Sequence, residues 1–372
     1  MLLHGIIPPV TTPFYPDGRV YHKKLELNVE RYSKTPVAGI VVLGSTGEAI
    51  LLSDEERRDV LRTARDACAQ HKVLIAGTGA ESALETIRLA EYAAGLGYDA
   101  ALVRTPHFYR PQMQHANLLA FYRTVADRSP IPVLIYSVPV YTKYDIAAEL
   151  VIELAGHPNI IGIKESGGDA PKIRQMAEGT RHIQRSATVT ETFAAVTPRM
   201  LRTSKPDSIN GNGDLIPAAA LAGESNAPRA TGVDDDAAKQ RVPSSSAVQV
   251  TGNLKTRKKE VGFQILAGSA QRLLPSLEAG AVGAVLAFAA PAPTACYEVY
   301  AAWREGDLEL AREKQDRVSA AAARVGSEFG IPGLKYAMDL NGYYGGPARL
   351  PFLPLTAESK AEVERFMVDI RH

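Results

Sequence analysis

The chain has 372 residues, 45% of them hydrophobic, and its 42 Lys and Arg against 41 Asp and Glu leave a formal net charge of +1. That length supports a substantial core, while the charge balance gives no footing for nucleic acid or an anionic membrane surface. Two distant cysteines, Cys68 and Cys296, form no metal or redox motif and read as reduced thiols of a cytoplasmic protein. No apolar run reaches the roughly 20 residues of a membrane span, and no basic, signal-like leader opens the chain.

Strand-like apolar runs alternate with helix-like segments. The strand candidates are Gly5–Thr11, Gly39–Leu43, Val73–Ala76, Ala100–Arg104, Val133–Tyr136, Ile160–Lys164, Phe263–Ala267 and Val282–Ala287. Between them lie amphipathic stretches such as Ser53–Gln70, Ser82–Leu96 and His115–Asp127. Ser53 followed by Asp54, Glu55 and Glu56 is a strong helix start. Strand-helix alternation implies a parallel sheet with crossover helices. Eight such units point to an α/β fold of the closed (β/α)8 type, a TIM barrel. No GxGxxG follows the first strand, which disfavours dinucleotide binding.

Residues 183–260 break the pattern. They are rich in Ser, Thr, Ala, Pro and Asp, with Phe193 as their only aromatic. This composition predicts a disordered or loosely ordered insertion before the seventh strand, on the N-terminal face of a barrel. Gly211-Asn212-Gly213 reads there as a flexible turn, and Asp234–Asp236 and Lys255–Lys259 as solvated charge. Pro293–Glu305, Asp307–Phe329, Pro332–Leu340 and Ala357–Ile370 read as helices. The expected organisation is a catalytic barrel over 1–305, interrupted by 183–260, and a C-terminal helical appendix over 306–372.

Three places carry chemistry. Lys164 ends the β-branched run Ile160–Ile163. Burial disfavours its ammonium form and would make the amine a usable nucleophile; an ordinary strand-end lysine would instead snorkel to solvent. Gly44-Ser45-Thr46-Gly47-Glu48 follows the second strand and allows a tight turn with converging amides, suited to a carboxylate. It lacks a P-loop lysine, and the plain alternative is a turn that caps a helix. Tyr136 closes the fifth strand and would point into a barrel mouth, where its hydroxyl could move protons; a tyrosine with its hydroxyl in water is the plain alternative.

Taken with Ala267-Gly268-Ser269 and Tyr136-Ser137-Val138-Pro139, these segments resemble the class I pyruvate-dependent aldolases that include dihydrodipicolinate synthase and N-acetylneuraminate lyase. The resemblance implies a Schiff base between Lys164 and a 2-oxo acid, with Tyr136 as proton relay. It implies that Ser45 and Thr46, led by Gly44, hold the carboxylate, with one hydroxyl joining the relay. Gly268 and Val285 would line the lysine pocket. It implies no metal and no cofactor beyond the covalent imine, and a homo-oligomer built as a dimer of dimers.

Two positions depart from the family pattern. Tyr141 stands where the synthases carry an arginine for the second substrate's carboxylate, and nearby Lys143 is no geometric match for an arginine fork. Phe108 stands where a tyrosine usually reaches into a neighbouring subunit, leaving Tyr109 or His107 as stand-ins. Within the family, the runs Ser166–Asp169, Phe329–Lys335 and Gly342–Pro347 resemble 4-hydroxy-2-oxoglutarate aldolase. The resemblance therefore implies a carbon–carbon lyase acting on 2-oxo acids, with a 4-hydroxy-2-oxo acid split into pyruvate or glyoxylate-type products as the expected substrate. Dihydrodipicolinate synthase is the alternative within the family, and a non-catalytic 2-oxo-acid-binding or scaffold barrel the alternative of another class.

Overall fold

The computed structural model describes residues 1–202, 249–251 and 254–370. Among them, eight parallel strands form one sheet: β1 (Gly5–Ile6), β2 (Gly39–Val42), β3 (Val73–Gly77), β4 (Ala100–Arg104), β5 (Val133–Ser137), β6 (Ile160–Glu165) and, after the interruption, β10 (Gln264–Ala267) and β11 (Gly283–Ala284). The order β1-β11-β10-β6-β5-β4-β3-β2 brings the first two strands to opposite ends. The ring closes through Pro8–Val10: the Val41 N–H donates to Pro8 O and the Val10 N–H to Val41 O, at 3.0 and 2.8 Å. The predicted strand Gly5–Thr11 is thus a two-residue strand plus this bridge, because Pro8 and Pro9 have no N–H to give a ladder.

Two apolar layers hold the barrel. The outer one lies between sheet and helices and contains Val42, Leu74, Ile135 and Ile163; the inner one fills the ring with Ile7, Val41, Ile75, Leu102, Leu134 and Leu266. Helix Asp54–Ala67 starts on a complete capping box between Ser53 and Glu56. Pro293–Glu305 forms as predicted. The predicted helix Asp307–Phe329 divides into Leu308–Ala321 and a π-helical turn over Ala322–Glu328, followed by helix Gly330–Leu340.

The region read as a disordered insertion needs correction at its flanks. β7 (Arg185–Thr190) pairs antiparallel with β9 (Leu254–Val261), which pairs with β8 (Gln249–Thr251). Ala187, Val189 and Val261 bury against Leu2. The partners lie far apart in sequence, so local composition carries no sign of their pairing. Lys255 and Lys258 are exposed as expected, whereas the Arg257 guanidinium sits 3.7 Å from the Phe193 ring centroid. Gly211–Gly213 and Asp234–Asp236 lie outside the described residues.

These flanks cover the base of the barrel. Arg185 donates to the carbonyls of Ala155, His157 and Ile160, just before and at the start of β6. Helix Pro198–Arg202 inserts Met200 against Leu3, Val73, Ala100 and Ile161, which form the lowest layer of the ring. The placement on the N-terminal face is as the sequence predicts.

Candidate active site

Lys164 faces the barrel interior because β6 is irregular. Its register with β5 runs Val133↔Ile160, then Leu134↔Gly162, so β6 carries one extra residue. On an unbroken strand Ile161 and Lys164, three positions apart, would face opposite sides. The bulge restores the inward phase and re-aims the lysine. Gly162 permits it, since a Cβ there would lie 2.1 Å from the Gln264 carbonyl oxygen. Lys164 is 4% exposed.

Tyr136 is the direct neighbour of Lys164 in the ladder. The lysine Nζ stands 4.1 Å from the Tyr136 ring centroid, over a π face that favours a cation. On its other side the Tyr136 hydroxyl lies 3.2 Å from Ser45 Oγ. Lysine, tyrosine and serine therefore form a continuous line at the carboxyl ends of β6, β5 and β2, the face where barrels of this type carry their chemistry.

Ser45 belongs to a tight turn, Ser45–Gly47. Gly47 and Glu48 N–H groups donate to the Gly44 and Ser45 carbonyls at 3.0 and 3.1 Å. This leaves the Ser45 and Thr46 amides outside the turn's own ladder, as at any helical start. Glu48 ends the turn in the left-handed region, with φ +54°, unusual for a side chain of its size. Its carboxylate is buried beside the Lys335 ammonium at 2.5 Å.

Ser45, Thr46, Tyr136, Lys164, Gly268 and Tyr141 line one cavity of about 200 Å³. Gly44 leads into the turn. Val285 is buried in the ring interior rather than among the lining residues. Tyr141 is an exposed wall residue on the short helix Pro139–Thr142, and Lys143 caps that helix with φ +53°. Phe108 and Tyr109 are 75% and 67% exposed and pack edge to face with each other, outside the cavity. His107 Nδ1 lies 2.8 Å from both Arg104 and Glu81, also outside it.

Several lining groups received no role from the sequence. Ser166 Oγ is buried without a hydrogen-bond partner among the described residues and lines the cavity. Its loop is fixed by buried Glu165, which accepts from the Gly167 and Gly168 N–H groups at 2.8 and 2.9 Å. Gln271 and Ser327 close the opposite wall, 2.8 Å apart. Ser327 comes from the π-helical turn, a distortion that often sits at functional sites. One signal was legible beforehand: Ser166 follows Lys164 by two positions and opens the run Ser166–Asp169. Gln271 and Ser327 meet only through tertiary packing.

Among the described residues, no group of three or more His, Cys, Asp or Glu is placed to hold a metal ion. Nor, among the described residues, is any helix long and apolar enough to cross a membrane. Cys68 and Cys296 are free, and burial raises their thiols to about 11 and about 12.

The model of the Dihydrodipicolinate synthetase family matches residues 2–201 and 245–369. The chain belongs to this family. The dihydrodipicolinate synthetase match thus leaves out residues 202–244, within the stretch that the composition sets apart. A 4-hydroxy-tetrahydrodipicolinate synthase of Methanothrix thermoacetophila is 28% identical over 362 residues, covering 97% of this chain and 95% of that protein. One from Stenotrophomonas maltophilia is 41% identical over 180 residues, covering 47% of this chain and 59% of the relative. Two solved structures share the fold. A dihydrodipicolinate synthase from Bacillus anthracis has a TM-score of 0.74 at 22% identity, with full coverage of both chains. A prophage protein of the dihydrodipicolinic acid synthase family from E. coli K12, in complex with pyruvate, has a TM-score of 0.72 at 24% identity, covering 100% of this chain and 99% of that one.

Proposed function

We propose that this protein is an imine-forming aldolase that acts on 2-oxo acids of the pyruvate type. The observation that carries the reading is the line of Lys164, Tyr136 and Ser45 in one cavity. The Lys164 amine adds to the C2 carbonyl, and loss of water gives the imine. The imine accepts the electron pair released when the C3–C4 bond breaks, which makes the cleavage feasible without a metal. The proton of a C4 hydroxyl passes through Tyr136 and Ser45 and returns to C3 of the resulting enamine, and water then hydrolyses the imine to release pyruvate and free Lys164. The Ser45 and Thr46 amides hold the substrate carboxylate. Ser166, whose buried hydroxyl has no hydrogen-bond partner among the described residues, is placed in this reading to meet the polar group on the departing half.

The substrate reading is a 4-hydroxy-2-oxo acid such as 4-hydroxy-2-oxoglutarate, split into pyruvate and an aldehyde. Tyr141 supports it, because the arginine of the synthases is missing there. A second reading, condensation of pyruvate with aspartate semialdehyde, is favoured by the names of the relatives above. The exposed pair Phe108 and Tyr109 fits a homo-oligomeric assembly in which these aromatics meet another copy.

The test is reductive trapping. Protein incubated with pyruvate and borohydride is expected to gain a pyruvate-sized adduct on Lys164, absent in Lys164→Ala. Adduct formation justifies assaying 4-hydroxy-2-oxo acids against aspartate semialdehyde. Folded protein that gives no adduct with pyruvate or longer 2-oxo acids would sink the reading.

A further inference from the structure

The turn that carries Ser45 and Thr46 is held from outside the barrel. Helix Gly330–Leu340 of the C-terminal appendix supplies Ile331 and Leu334 to the cavity wall. The same helix sends Lys335, 1% exposed, beneath the turn. Its ammonium lies 2.5 Å from Glu48 Oε1 and donates to the Thr12 and Pro347 carbonyls, both at 2.9 Å. Two of its three N–H donors thus go to carbonyls, and the carboxylate stands beside it in ion-pair contact. Thr12 in turn donates from Oγ1 to the Gly47 carbonyl at 2.7 Å. The other carboxylate oxygen, Glu48 Oε2, accepts the Arg349 backbone N–H at 2.8 Å.

The charge arrangement is as specific as the geometry. Glu48 is a fully buried anion attached to the very turn whose amides would receive a substrate anion. Unpaired, it would oppose that substrate across a short, poorly screened distance. Paired, it presents a neutral dipole and pins the left-handed residue that closes the turn. A buried pair of this kind is weak evidence for added stability, since desolvating both ions offsets their attraction. Burial already lowers the Lys335 ammonium's pKa from the ordinary lysine value.

We infer that Lys335 is a positioning residue for substrate binding: by pairing with Glu48 beneath the Ser45–Thr46 turn it cancels a charge that would repel the 2-oxo acid carboxylate. The inference rests on the imine reading of the site. It concerns a residue that touches no substrate and lies in the appendix rather than the barrel.

The experiment measures the borohydride-trapped fraction against pyruvate concentration by intact mass, for the full chain and its variants, beside thermal melts. Lys335→Met keeps the stem and removes the charge. Its half-saturation for pyruvate is expected to rise about tenfold or more, while the fraction trapped at saturation stays near wild type. Lys335→Met/Glu48→Gln removes both charges and should bring half-saturation back to within about threefold. Glu48→Gln alone leaves a cation under the turn and should not raise half-saturation, which makes the effect asymmetric in sign. If Lys335→Met lowers only the melting temperature or the trapped fraction, with half-saturation unchanged, the inference is overturned. A tenfold rise in Glu48→Gln overturns it equally, and that arm remains readable should Lys335→Met fail to fold. Wild-type protein that gives no adduct condemns the imine reading instead, so the two failures are distinct.

Discussion

The two ends of the barrel solve opposite problems. At the mouth, Lys164, Tyr136, Ser45 and Ser166 converge on a cavity, Ser166 keeps a hydroxyl without a hydrogen-bond partner among the described residues, and Glu48 holds a left-handed backbone. At the base, Met200 fills the ring and Arg185 satisfies three carbonyls that would otherwise face outward. Unsatisfied polar groups and unusual backbone are costly and persist where surrounding structure holds them. At the base the carbonyls of Ala155, His157 and Ile160 are engaged and Met200 is covered, while Phe193 nearby also holds a left-handed backbone. The comparison assigns chemistry to one end and stability to the other.

Substitutions can break that division. The largest effect is expected at the mouth: Gly162→Ala would place a Cβ against the Gln264 carbonyl and displace the bulge that aims Lys164. Trapping should fall towards the level of Lys164→Ala even in protein that folds, and normal trapping would show that the bulge is not what aims the lysine. Next, Tyr136→Phe should lower turnover by about 10²- to 10⁴-fold, while slow trapping still marks Lys164. Turnover within a few-fold of wild type would remove Tyr136 from the relay.

At the base, Met200→Ala should cost about 2–5 kcal/mol in denaturant unfolding, with half-saturation for pyruvate unchanged. A shift in half-saturation without a loss of stability would reverse the assignment of the two ends. His4 sharpens the point through pH. Burial, reinforced by Lys259 and Arg304, lowers its pKa from 6.5 to about 4. The unfolded chain therefore takes up a proton that the folded chain refuses, so stability is full above pH 6.5 and is lost down to about pH 4. Each pH unit in that window costs about 1.4 kcal/mol, or about 2 kcal/mol between pH 6.5 and 5. Replacing His4 with Gln should flatten that part of the melting profile; an unchanged slope would place the titration elsewhere.

The smallest effect should come from Ser166→Ala. Loss of one hydrogen bond to the departing half is worth about 0.5–1.5 kcal/mol, up to about tenfold in kcat/KM for the cleavable substrate. Half-saturation for pyruvate, which lacks that half, should not move. A change in pyruvate binding alone would relocate Ser166 to the carboxylate side.

Much of this molecule was legible in its sequence for identifiable reasons. Strands such as Ala100–Arg104 are continuous apolar runs because both faces of a parallel barrel strand are buried. Helix Asp54–Ala67 announced itself through a local capping pattern. Lys164, Tyr136, Ser45 and Thr46 could be singled out because each ends or follows a readable strand. Ser166 was visible only as part of a motif, and β7 and β9 were missed because their pairing joins segments far apart in sequence.

The sequence by itself determined the order of strands and helices, the mouth-side location of the chemical residues and the place of the interruption, all properties of short, contiguous patterns. Tertiary structure alone decided the rest. The extra residue in β6 turns Lys164 inward only because β5 and β10 fix the register on either side. Ion pairing joins Lys335 to Glu48 only because helix Gly330–Leu340 packs beneath the turn. Met200 becomes a plug only because the ring leaves an apolar opening beneath it. Each depends on which surfaces meet, and periodicity along the chain carries no record of that.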